Sequence, residues 1–264
     1  ESGETSISVT SAITIPAGEE LTIDDDVEIQ MVGAEATLLV KGTLTLSDSA
    51  VLRGNDDADR KVSVVIVENG GVFTMKGGTI TGNTARYVSL NVDRCGGGVT
   101  VRDGETGGTF IMNGGTITGN TAMYGGGVHI ATTREKNSKG VFTFNDGEIT
   151  ANRAVHGGGV YMIEGTFTMN GGEITDNQAD YTVGGEVGFS ASDGQGGGIA
   201  VELDDQCQGT FIIKAGLIAG NSANRAYPTD NGLGGGIYLY KSTFGSLTAE
   251  ISGGTIENNT VQLS

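Results

Sequence analysis

The sequence predicts an all-β, single-domain fold, a parallel β-helix (solenoid) of about eight coils. Three observations carry that expectation. A twelve-residue string recurs along the chain. A block of three glycines followed by Val or Ile recurs between its copies. Within both, apolar residues alternate with polar ones at the two-residue period of a strand.

The string reads TFIMNGGTITGN over Thr109–Asn120 and returns at 72–83, 141–152, 166–177, 210–221 and, degenerately, 248–259. The glycine block occupies 96–98, 125–127, 157–159, 196–198 and 234–236. The shortest full repeat, Asn152 to Asn177, is 25 residues long, too short for two helices and their turns. Each repeat is read as three short strands: Val160–Met162 after the glycines, Phe167–Met169, and a third around Ile174. Gly and Asn separate them, the two residues that accept positive φ most readily. Strands stacked about 4.8 Å apart would then form columns. One is Phe73, Phe110, Phe142, Phe167 and Phe211, closed by Ala249; a second runs from Met75 to Ile251 and a third from Ile80 to Ile256. Asn83, Asn120, Asn152, Asn177, Asn221 and Asn259 form a polar column, whose amides can hydrogen-bond along the stack.

Residues 1–60 keep the alternation without the glycine motifs, in Ile13–Ile15, Leu21–Ile23, Val27–Ile29, Leu38–Val40 and Leu44–Leu46. They are expected to form irregular starting coils and a cap, with regular repeats over 61–264. The pattern stops at Asn259-Thr260 without a capping segment, so the chain is expected to be part of a longer repetitive protein, and the open end is expected to favour end-to-end self-association.

Composition narrows the function classes. Glycine makes up 47 of 264 residues, with two prolines and no strict triplet period, which excludes collagen. A net charge of −17 and the lack of a basic stripe argue against nucleic acid. No apolar run reaches the length of a membrane helix, so no membrane insertion of that kind is expected. Cys95 and Cys207 lie far apart and are read as thiols, an oxidised pair between long loops being the alternative.

The paired motifs, Gly-Gly-Gly-Val/Ile and Phe-x-x-Asn, resemble the repeats of polymorphic outer-membrane proteins and of large bacterial surface adhesins, over about residues 72 to 259. Lys76, Lys214 and Ser252 depart from the Phe-x-x-Asn pattern. The resemblance implies a right-handed β-helix of the pectate-lyase-like superfamily, an extracellular or cell-surface location, and an adhesive or stalk role. The catalytic strings of β-helical pectinases do not occur here as a set, and GxSxG, HExxH, paired CxxC and P-loop motifs are missing. A non-enzymatic surface module is therefore expected, with a polysaccharide lyase or glycoside hydrolase as the alternative.

Candidate binding residues gather on one edge. Tyr124, Tyr161, Tyr238 and Tyr240 fall on or just before the strand that follows the glycines, and Tyr87, Tyr181 and Tyr227 fall in the turns leading to it. His129 is expected to face outward, and His156 precedes Gly157. From the column asparagine to the next glycine block there are 12, 4, 4, 18 and 12 residues, so two minimal turns lie between longer loops. A shallow groove floored by Tyr124, His129, His156 and Tyr161, with Tyr238 beyond, is expected to bind a glycan or a host surface protein through aromatic faces and ring-edge hydrogen bonds. Glu148 and Glu173 stack about 5 Å apart on the outer face and read as a solvated acidic surface. The acidic runs at 24–26, 56–59 and 204–205 lack calcium-loop spacing, so no metal or cofactor is expected. A Thr-x-Thr stripe of the kind an ice-binding face needs begins at Thr79–Thr81 and Thr116–Thr118. It collapses at Glu148/Thr150, Glu173/Thr175 and Leu217/Ala219.

Overall fold

The computed structural model describes residues 5–57, 60–86, 96–102, 104–131, 139–183, 194–225 and 233–263. Its 29 named elements are all β-strands, assembled into sheets of fifteen, eight and six strands. Every pairing between named strands is parallel, and each strand pairs with its counterpart one repeat later. The eight-stranded sheet runs in sequence order from Ile13–Ile15 through Val128–Ala131 and Val160–Met162 to Ile237–Lys241. Parallel neighbours joined through strands of other sheets are compatible with a β-helix.

Register places the sequence columns side by side. Phe110 pairs with Phe73 and Phe142, Phe142 with Phe167, and Phe167 with Phe211. The Met75–Ile251 and Ile80–Ile256 columns are continuous in the same way. The alternating side chains fill one contiguous core. In-register rings are brought to centroid separations of 4.9 and 4.7 Å at the Phe73–Phe110 and Phe110–Phe142 steps, nearly parallel. The columns extend into the N-terminal region, where Leu21, Leu44 and Phe73 follow one another. All five N-terminal strands expected from sequence are present, together with Thr5–Val9 and Val51–Arg53.

One expectation is corrected. The Phe-x-Met and Ile segments, read as separate short strands, both join the fifteen-stranded sheet, and in Thr109–Thr118 and Val141–Thr150 they form one continuous strand with a register shift after Met112. The third sheet is built instead from residues after the column asparagine, such as Thr121–Tyr124, Arg153–His156 and Ser222–Arg225. Four residues between Asn and Gly read as a minimal turn, yet parallel neighbours on both sides complete their hydrogen bonds as strands.

Corners between sheets depend on the asparagines and the glycines together. Each asparagine Oδ1 accepts from the backbone N–H of the preceding asparagine, at 2.9–3.2 Å from Asn83 to Asn259. From Asn152 onward it also accepts from the preceding side-chain amide. Each amide additionally donates to a carbonyl one repeat back, as Asn152 Nδ2 does to Ile117 O at 2.8 Å. At the ladder's start Arg60, fully buried, donates through Nε to Asn83 Oδ1 and through Nη1 to the carbonyls of Gly33 and Ala36. The first glycine of a block, Gly125 or Gly157, has φ near +60°, the left-handed conformation a Cβ disfavours. A Cβ on the third, Gly159, would stand 3.0 Å from the Asn177 amide. Two motifs separate in sequence thus form one corner.

Asn152→Leu should lower stability by about 3 kcal/mol in urea melts, because it strands buried Asn120 donors and the Ile117 carbonyl. Gly158→Ala should yield no folded protein, since its Cβ would fall 2.5 Å from Gly197 O and 2.6 Å from the Gln178 backbone. Gly18→Ala, in open space at φ +86°, should cost only about 1 kcal/mol of left-handed strain.

Candidate functional site

Strand alternation assembles the aromatic edge. In Val128–Ala131, Val128 and Ile130 belong to the core, which sends His129 to the opposite face. His129 pairs in register with Tyr161, Tyr161 with Ala200, and Ala200 with Tyr238. Tyr124 and His156 end neighbouring strands of the six-stranded sheet and pair with each other. The corner glycines that follow bring the two sheets' outer positions together.

The rings meet. Tyr124 stacks on His156 at 5.3 Å and 16°, lies 4.9 Å from Tyr161, and reaches His129 at 6.0 Å. His129 and Tyr161 are 5.2 Å apart. Glu202 ties the cluster: Oε1 lies 3.1 Å from His156 Nδ1, and Oε2 accepts from the Tyr161 hydroxyl at 3.3 Å. Gln195 Oε1 is also 3.2 Å from His156 Nδ1. A carboxylate can only accept, so Nδ1 carries a proton and the hydrogen bond fixes the ring orientation.

The expected groove is corrected in one respect. Tyr124, His129, His156 and Tyr161 do come together, but they do not floor an open surface. His129 is fully buried, Tyr161 is 2% exposed and Tyr124 8%. They sit in a second apolar cluster with Met123, Val155, Ile163, Val183 and Ala200, against which Tyr238 packs half-buried. Outward-facing side chains are thus covered by a second layer, which two-residue alternation cannot foresee. Solvent reaches His156 and Glu202, whose side chains are 17% and 18% exposed, and Tyr240, which pairs with Glu202 in register and is half exposed. Glu202 was missed because its partners lie 41 and 46 residues earlier. Its outward register beyond Ala200 and Tyr161 was the available signal.

Other candidates stay apart. Glu148 pairs with Glu173 as stacking required, and both are exposed. Among the described residues no group of three or more His, Cys, Asp or Glu could hold a metal ion. Cys207 is buried at the edge of the core, while Cys95, Tyr87 and Tyr227 lie outside the described residues, as do most of the three longer loops. No protein-family model, curated protein or solved structure matches the chain.

Two substitutions separate the packing role of Tyr161 from its hydroxyl. Tyr161→Phe, losing one hydrogen bond, should cost about 1 kcal/mol, whereas Tyr161→Ala should cost about 3–5 kcal/mol by opening a buried cavity, both read from urea denaturation.

Proposed function

We propose that the three sheets are the faces of a right-handed parallel β-helix of about eight coils, serving as a non-enzymatic adhesin or stalk module at a bacterial cell surface. The observation that carries this reading is the in-register stacking sustained by the asparagine ladder from Asn83 to Asn259. Such a stack holds its shape because each repeat is tied to the next by backbone and side-chain bonds, and shape is what a spacer supplies. A glycan or a host surface protein would then be met at the solvent-reached part of the aromatic edge, through His156, Glu202, Tyr238 and Tyr240. The buried rings of Tyr124, His129 and Tyr161 hold that edge in place.

A panel of plant, microbial and host polysaccharides, incubated with the protein with and without calcium, should yield no new reducing ends and no unsaturated products. Cleavage would overturn the reading in favour of a lyase or hydrolase. On immobilised glycans and host-cell surfaces, retention should fall on Tyr240→Ala, whose side chain is half exposed, while the melting temperature holds.

A further inference from the structure

A second surface lies on the outer face of the fifteen-stranded sheet, away from the aromatic edge. Two outward columns flank the buried Phe column, one from Thr43 to Thr210 just before it and the other from Thr45 to Ile212 between it and the Met column. Over six consecutive strands all twelve positions are Thr, Val or Ile, eight of them Thr, and each is partly exposed. No charged or aromatic side chain interrupts the two columns over those strands. Carboxylates return only in the strands beyond, with Glu20 on one side and Glu250 on the other. Alongside the central rows, Asn145 Nδ2 donates to Asn113 Oδ1 and Asn170 Nδ2 to Asn145 Oδ1, both at 2.8 Å, forming a second, surface amide ladder. The register shift in the Thr109–Thr118 strand falls after Met112, outside the two columns, so the array itself is regular.

We propose that this array is an ice-binding face. Rows spaced about 4.8 Å apart and columns about 6.6 Å apart repeat hydroxyl and methyl groups on a fixed two-dimensional grid. Both spacings are near the separations between water oxygens on the exposed faces of ice. β-Branched side chains are stiff at χ1, so the grid is set before any solid is met and little rotamer entropy is lost on contact. Waters seated between the methyls and hydrogen-bonded to the hydroxyls take positions that a crystal can continue. A sugar ring would find no aromatic face here, and a protein partner no large apolar anchor. The neighbouring Thr79/Thr81 stripe on the same sheet is broken by the carboxylates Glu148 and Glu173, which separates the uncharged array from an interrupted one.

Nanolitre osmometry with ice-crystal imaging tests this on the full chain, alongside partition of the protein into slowly grown ice. The expected result is faceted crystals, measurable thermal hysteresis and enrichment in ice. Thr143→Lys with Thr168→Lys should abolish all three, and Thr118→Lys with Thr150→Lys on the interrupted stripe should leave them intact. If the paired lysines prevent folding by circular dichroism, Thr143→Ser with Thr168→Ser, which removes only the methyls, should weaken hysteresis in their place. Unshaped ice with the unaltered chain would overturn the proposal. So would hysteresis that survives the array variants or is lost equally in the stripe variants, or binding to crystalline chitin or cellulose through this face with ice left unshaped. Loss of this proposal leaves the adhesin or stalk reading standing, because the substituted threonines lie outside the aromatic edge.

Discussion

In-register parallel stacking of identical side chains, repeat upon repeat, is the constraint from which the other features of this protein follow. A parallel pair slipped by one residue would turn every core side chain to the outside, so register must be fixed strongly. The buried asparagine ladder fixes it. An amide that accepts from one neighbour and donates to the other can sit in a dry interior only if another asparagine stands at the same position one repeat away. Each Asn therefore demands the next, and Arg60 supplies a charged donor where the column begins. The glycine blocks exist to let the backbone pass close to those amides.

The stack makes surfaces as well as a core. Every outward position is also repeated, so a residue type kept over several repeats becomes a column of one chemistry. On the fifteen-stranded sheet that yields an uncharged grid of Thr, Val and Ile. On the eight-stranded sheet it sets His129, Tyr161 and Tyr238 along one line, with Ala200 between the last two. The fates of these columns differ because one face is left to solvent while the other is covered by a second apolar layer including Met123, Val155, Ile163 and Val183. A glutamate pinned between His156 and Tyr161 at the margin of that layer orients the imidazole.

Much of this was legible in the chain. The Phe, Met and Ile columns, the asparagine ladder and the Glu148–Glu173 pair follow from aligning repeats, because a translational stack converts sequence spacing directly into spatial neighbourhood. Legibility failed where a repeat was read in isolation. Thr121–Tyr124 and Arg153–His156 have too few residues to announce a strand, and only their neighbours make them one. Glu202 belongs to no motif, and its outward register beyond Ala200 was its one signal.

The all-strand character, the parallel register and the identity of the buried columns follow from residue order alone, since identical residues at a fixed period have one low-energy way to stack. Which outward faces meet solvent was settled by packing between repeats. Alternation tells a side chain from its neighbour across the strand, but covering depends on how side chains of the adjoining sheet and of the next repeats close over it. That contact buries His129 and Tyr161 and leaves the threonine grid uncovered.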